Sequence, residues 1–319
     1  MKTQLLKGVQ PFWFWNGKMD HEEIVRQIDE MADKGVQGFL IHPRQGMDLP
    51  YLTEEFFDRV KTAVAQAKKH GMEVWLYDEY PYPSGVSAGQ VMLDHPEYCC
   101  KALKKTVGTV SGGETLKMYC PWGKVISARA YRVRDGKCCF DEYQDVSAYI
   151  GTGYSDEIFQ LSGLTAYNRK RFFTGVASKY LYWTAPEGEW KVYVFIEEVM
   201  KHFKYFENFV DPLNPEAIRY FLQTTHEQYK KHIGDEFGKT VKGIFTDEVT
   251  AFPPSQPWSP LLPGLVKEKY GRDLIDVLPA LTEDMGPETQ RIRFEYWDTA
   301  ADAFINSYDK QVYEWCEAN

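Results

Sequence analysis

The feature that most constrains the fold is a hydrophobic period that switches back and forth along the first hundred residues. A strand-like run, VQPFWFWN (Val9 to Asn16), gives way to HEEIVRQIDEMADKG. There Ile24, Ile28 and Met31 recur at helical spacing, Asp20 stands at the cap position and Gly35 closes the segment. A second strand follows in VQGFLIHP (Val36 to Pro43). Thr53 is placed to cap the next helix, with Glu54 and Glu55 in its first turn and His70-Gly71 at its end. MEVWLYDEY (Met72 to Tyr80) is the third strand. Strands separated by helices, without tight hairpins, predict parallel pairing through crossover connections.

The rhythm pauses at Lys101. From residue 101 to 189 the runs KKTVGTV, ETLKMYC, KVISARAYRVRDGKCCF and KYLYWTAP are short, β-rich and punctuated by Gly, Asp and Pro, which predicts an inserted antiparallel domain. It resumes over 190–319. KVYVFIEEV (Lys191 to Val199) is expected as a fourth parallel strand. Asn214-Pro215-Glu216 opens a helix running to Gly234. VKGIFTDEV is expected as a fifth strand, followed by the proline-rich AFPPSQPWSP, a short helix near LVKEKYG and one long helix from Glu288 onward. The expectation is an α/β chain of the (β/α)8 TIM-barrel type, stopped after about five strands, with residues 1–100 and 190–319 forming the barrel around the insert. A complete doubly wound sheet is the alternative. Such sheets usually carry a Gly-rich phosphate loop, and neither GxGxxG nor GxxxxGK[ST] occurs.

The net charge of −9 argues against a nucleic-acid partner, because a phosphate backbone needs a basic face. No apolar run is long enough for a signal peptide or a membrane span, so the expected setting is cytoplasmic, or periplasmic or secreted if a signal has been removed. The six cysteines, with Cys99-Cys100 and Cys138-Cys139 adjacent, suit neither a disulfide framework nor a zinc site. They are expected as reduced, mostly buried thiols.

In a (β/α)8 barrel the active site lies at the C-terminal ends of the strands. Here those ends read Trp15-Asn16, His42-Pro43-Arg44, Asp78-Glu79-Tyr80, Glu197-Glu198 and Asp247-Glu248. All five expected ends carry hydrogen-bonding or ionisable groups. Alternation places Ile244, Thr246 and Glu248 on one face and Phe245 and Asp247 on the other. Small Thr246 suits a crowded barrel axis and bulky Phe245 a helix layer, so Glu248 is expected to face the site and Asp247 to support the loop. Carboxylates at such a rim suit glycoside hydrolysis. One protonates the leaving oxygen and another activates water or attacks, about 6.5–9.5 Å apart in inverting enzymes and about 5–5.5 Å apart in retaining ones. The same oxygens suit a hard divalent cation.

PFWFWNG, YLTEEFF, GMEVWLYDEYPYPSG, APEGEWKVYVF, VDPLNPEAIRYFLQTTHEQY and GIFTDE occur in this order. Together they resemble the barrel of the α-L-rhamnosidases of glycoside hydrolase family 106, and the resemblance is weakest from Lys101 to Tyr180. It implies inverting cleavage of a terminal α-linked deoxysugar from an oligosaccharide or polysaccharide, often with Ca2+ helping to hold sugar hydroxyls. It puts Glu248 at the general-acid position and the general base on a later strand, beyond Asn319. If a second carboxylate lies within these residues, Glu79 is the candidate. Trp15, Asn16, His42, Arg44, Asp78, Tyr80 and Glu198 are then expected to bind substrate, with Trp15 or Tyr80 as an apolar wall for the acid. A retaining β-galactosidase-like barrel and a non-catalytic carbohydrate-binding module are the competing readings.

Overall fold

The computed structural model describes residues 8–154, 177–201, 207–249 and 256–319. The chain divides into two compact units. The first comprises residues 1–100, 200–251 and 300–319, the second residues 101–199 and 252–299.

The first unit is built on a four-stranded sheet, β1 (Phe12–Trp15), β2 (Gly38–Pro43), β3 (Glu73–Tyr77) and β11 (Val241–Phe245), in the order β1-β2-β3-β11. All three pairings are parallel. Helix α1 (His21–Asp33) joins β1 to β2 and α2 (Glu54–Lys69) joins β2 to β3. Thr53 caps α2 by accepting the Phe56 N–H, satisfying one of the donors that a helix start leaves open. Asp20 stands at the α1 N-cap position but makes no side-chain cap.

Strand alternation sorts this sheet into two faces. One carries Trp15, Phe39, Ile41, Val74 and Leu76, which pack with Ile24 and Ile28 of α1, Phe56, Val60 and Val64 of α2, and Tyr229 and Ile233 of the helix His226–Ile233. Burying an aliphatic or aromatic side chain in this way contributes about 1.5–3 kcal/mol each, so this layer holds the sheet to its helices. The other face carries Phe12, Phe14, His42, Tyr77 and Phe245, and Phe12 and Phe14 are 45% and 49% exposed. The segment expected as one helix after Pro215 is two, Pro215–Thr224 and His226–Ile233, broken at Thr225.

The second unit is antiparallel. β4 (Lys101–Ser111), β6 (Lys124–Arg134), β7 (Lys137–Asp145), β10 (Glu189–Val199) and β12 (Pro257–Trp258) form a sheet in the order β12-β4-β10-β6-β7. β5 (Thr115–Cys120), β8 (Ile150–Tyr154) and β9 (Ala177–Thr184) form another, in the order β5-β9-β8. Val110, Ala128, Ala130, Val192, Val194 and Ile196 of the first meet Met118, Cys120, Leu181 and Trp183 of the second in one core, as in a sandwich of two sheets.

This corrects the expected fourth parallel strand. Lys191–Val199 belongs to β10, which pairs antiparallel with β4 on one side and β6 on the other. Tyr193 to Ile196 are all buried, and a strand covered on both faces shows the same unbroken apolar run in either kind of sheet. Among the described residues four parallel strands therefore stand where five were expected. The long C-terminal helix runs as Thr289–Phe304 and Lys310–Ala318 around a π-turn at Ile305–Asp309. None of the six cysteines forms a disulfide, and Cys99, Cys100 and Cys120 are buried. Among the described residues no helix is long and apolar enough to cross a membrane.

Candidate active site

The open face of the parallel sheet is an aromatic floor centred on His42. Its imidazole lies flat on the Tyr77 ring, with centroids 3.8 Å apart and planes 17° apart, while Phe12 and Phe14 approach at 5.6 and 5.2 Å. Phe245 of β11 extends the floor, 5.2 Å from Phe12 and 6.1 Å from Tyr77. His42 Nδ1 is 3.0 Å from the Pro43 carbonyl oxygen. A carbonyl only accepts, so Nδ1 carries the proton and Nε2 is left as an acceptor. Burial, first, and the neighbouring Arg44 charge lower the His42 pKa, which keeps the ring neutral near pH 7.

Asp247 borders this floor at the end of β11. Its Oδ2 accepts from the Tyr77 hydroxyl at 2.9 Å. Its N–H donates to Ser84 Oγ at 2.8 Å, and its carbonyl accepts from the Ser84 N–H at 2.9 Å. Ser84 Oγ also donates to Asp78 Oδ1. Ser84 thus clamps the third-strand loop to the last parallel strand.

The facing expected for Phe245 to Glu248 is reversed. Phe245 sits on the open floor, whereas Ile244 packs towards the helix side. Thr246 meets the Tyr308 hydroxyl at 2.6 Å. Asp247 therefore reaches the open face by simple alternation. Glu248 does not follow from alternation at all, because its φ of +45° breaks the strand. A left-handed conformation in a residue with a Cβ costs about 1–2 kcal/mol. The Glu248 side chain is exposed. Residues 251–255 of the expected proline-rich loop lie outside the described residues.

Asp78 and Glu79 are both fully buried. Glu79 is enclosed by its own loop. Oε1 accepts from the N–H groups of Tyr80 and Ala88 at 2.8 and 2.6 Å, and Oε2 from those of Val86 and Ser87, both at 2.8 Å. Ser87 and Ala88 adopt positive φ of 51° and 54°, a curl of successive N–H groups that forms an anion-binding concavity. Burial pushes the Glu79 pKa up to about 7 against the pull of these four donors. Burial likewise pushes Asp78 to about 8. Its Oδ2 has no hydrogen-bond partner and lies 3.9 Å from Nε2 of His226, whose own ring nitrogens are also unpartnered. Burial lowers His226 to about 3, so both groups are held neutral and the contact is not an ion pair.

The other candidates divide. Asn16 is exposed at the end of β1, and Arg44 is partly buried at the end of β2. Trp15 is fully buried on the helix side against Phe56, so it forms no wall for the rim acids. Tyr80 stacks on Tyr51 at 5.8 Å. Glu198 belongs to β10 of the second unit, in register with Ala102, and not to the parallel sheet. The structure thus gathers His42, Tyr77, Phe14, Arg44 and Asp247 on the open face and withdraws Trp15, Asp78 and Glu79 into the interior. Tyr77 and Phe14 were missed by sequence reasoning. The signal was present in the period-2 pairing of Phe14, His42 and Tyr77 across adjacent strands.

Among the described residues no three His, Cys, Asp or Glu side chains gather in a way that would hold a metal ion. Glu79 is already saturated by four N–H donors, so no calcium ligand set is assigned.

No family model matches the chain, and no curated protein matches it. A solved structure does. The rhamnosidase from Novosphingobium sp. PP1Y is similar over 97% of this chain, with a TM-score of 0.58 and 15% sequence identity. The chain spans 45% of that rhamnosidase's length. At this identity the likeness is one of fold, and it covers the parallel α/β unit and the antiparallel unit alike.

Proposed function

We propose that this chain is a glycoside hydrolase, or the sugar-binding portion of one, with its site on the open face of the parallel sheet. The observation that carries the reading is the aromatic floor of Phe12, Phe14, His42, Tyr77 and Phe245, bordered at the strand ends by Asp247 and Glu248. Aromatic faces stack on the apolar faces of a sugar ring, and convergent polar groups at one edge orient its hydroxyls. The likeness to a rhamnosidase supports an α-L-rhamnoside as the first sugar to test. It also supports reading the four parallel strands as part of a (β/α)8 barrel, whose active face lies at the strand C-termini.

In this reading Glu248 is the general acid. It gives its proton to the glycosidic oxygen as the C–O bond breaks, so the aglycone leaves as an alcohol and Glu248 becomes a carboxylate. A water molecule attacks the anomeric carbon from the opposite face and gives up its proton to a second carboxylate, with inversion. Asp247, held by Tyr77 and Ser84, positions the strand end from which Glu248 projects. Glu79 is committed to its loop, and no second carboxylate is assigned.

The test is release of 4-nitrophenol from a panel of aryl glycosides by the chain and by Glu248→Gln, with folding checked by circular dichroism. Release from the α-L-rhamnoside that is lost in the variant supports sugar and acid together. Release from another sugar alone keeps the glycosidase and discards rhamnose. Sugar binding without release from any substrate sinks the hydrolase reading in favour of a binding module.

A further inference from the structure

Arg44 stands at the C-terminal end of β2, on the same open face. Its guanidinium carbon lies 5.0 Å from the Phe14 ring centroid and 5.8 Å from that of Tyr82. The main chain is fixed by an Arg44 N–H donation to the Trp15 carbonyl at 3.0 Å. Among the described residues no carboxylate pairs with this guanidinium, and none of its N–H groups donates to a protein acceptor. The other arginines on the parallel-sheet unit are engaged: Arg26 with Glu23 and Glu30, Arg59 with Asp58 and the Met19 carbonyl, Arg219 with Glu216.

At these distances the rings hold the guanidinium by cation–π attraction, which uses none of its N–H donors. A partly buried cation held in this way is pre-organised for a planar, two-oxygen anion, because the fork of N–H groups matches a carboxylate. The setting makes this selective. The chain carries a net charge of −9, and Asp247 and Glu248 follow β11, two strands from β2 in the order β2-β3-β11. An anionic sugar approaching that rim is repelled unless a cation offsets the charge, and among the described residues no carboxylate is paired with Arg44.

We propose that Arg44 is a specificity-determining residue that binds the carboxylate of a uronic acid, so that the glycan recognised by this face is acidic. The proposal rests on the reading that the open face binds sugar. It predicts that a uronide binds more tightly than the matching neutral sugar and that Arg44 alone accounts for the difference.

The experiment titrates the full chain with three matched probes, methyl α-D-galactopyranosiduronate, methyl α-D-galactopyranoside and methyl α-D-galactopyranoside 6-sulfate, followed by NMR. It is repeated on Arg44→Gln and Arg44→Lys, with thermal melts to verify folding. The uronide is expected to bind on the order of tenfold more tightly than the neutral glycoside, the scale of a charge-assisted hydrogen-bonded pair. Arg44→Gln removes that preference, so that within the variant uronide and neutral glycoside bind alike. Arg44→Lys retains charge without the fork and is expected to keep only part of it. Preference for the sulfate over the uronide would overturn the carboxylate assignment. Equal binding of uronide and neutral sugar, or a preference that survives in Arg44→Gln, would overturn the proposal while leaving sugar binding intact. Binding of no probe overturns both this proposal and the reading on which it rests.

Discussion

The Tyr77 hydroxyl donates to Oδ2 of Asp247 at 2.9 Å, tying β3 to the end of β11 across 170 residues of sequence. Asp247 also exchanges two hydrogen bonds with Ser84 through its backbone. Its side chain is thus held by Tyr77 and its main chain, through two hydrogen bonds, by Ser84. Tyr77→Phe removes one partly buried hydrogen bond and is expected to cost about 1 kcal/mol. Asp247→Asn keeps an oxygen for Tyr77 and should cost no more than that. Urea denaturation of both variants measures this. A loss several times larger in Asp247→Asn would show that the charge itself holds the strand end.

Glu79 holds its loop by accepting from four backbone N–H groups. An amide at this position offers one oxygen instead of two and turns an NH2 towards backbone donors. Glu79→Gln is expected to lose roughly 1–3 kcal/mol, because at least one buried N–H is left without an acceptor. The loss should come with faster proteolytic cleavage between Tyr80 and Gly89. Unchanged denaturation and unchanged cleavage would mean that the four N–H contacts do not hold the loop.

The pH dependence of stability follows from the sign of the Asp78 shift. Burial raises its folded-state pKa from 3.8 to about 8, so the folded chain holds a proton that the unfolded chain releases. Its contribution is complete below about pH 4 and is lost as pH rises to about 8. Buried His226, lowered to about 3, acts oppositely. Its contribution is present above about pH 6.5 and lost as pH falls. Asp78→Asn mimics the neutral acid and removes only the first effect. Wild type and variant should match near pH 4, and the variant should gain on wild type by up to about 1.4 kcal/mol per pH unit between pH 5 and 8. Parallel stability curves would show that Asp78 is ionised in the fold.

The alternation of strand and helix was legible because periodicity and caps agree: Ile24 and Ile28 face the core, and Thr53 caps α2. The fourth parallel strand was misread because VYVFI is buried on both sides, and burial leaves no trace of whether the neighbours run parallel or antiparallel. The facing of Phe245 was misread for a related reason. Bulk predicts the helix layer, but here aromatics also floor the open face. The rim acids were visible at the ends of β3 and β11. Their environments were not, since Glu79 is satisfied by N–H groups up to nine residues away, in a loop whose curl depends on positive φ at Ser87 and Ala88.

Gly243 lies beside Trp75 in the β11–β3 register. A Cβ added there would come within 2.5 Å of the Trp75 ring. The ring or the strand must shift, at a cost of about 1–3 kcal/mol. Gly243→Ala should lower stability by that amount and shift the tryptophan emission. A variant as stable as wild type, with unchanged emission, would show that the indole has space to rotate away.

Glu248 pairs an exposed carboxylate with a backbone angle that glycine adopts without cost. Glu248→Gly relieves the left-handed strain, about 1–2 kcal/mol, and offsets it with the extra freedom of glycine in the unfolded chain, about 0.4–1 kcal/mol. Stability should stay level or rise by up to about 1 kcal/mol, while hydrolysis is lost as fully as in Glu248→Gln. Melting temperature and rate measured on the same samples separate the two effects. A drop in stability would mean that contacts of the side chain hold the strand end in its turn. Retained hydrolysis in both variants would move the acid role to Asp247, which already faces the aromatic floor.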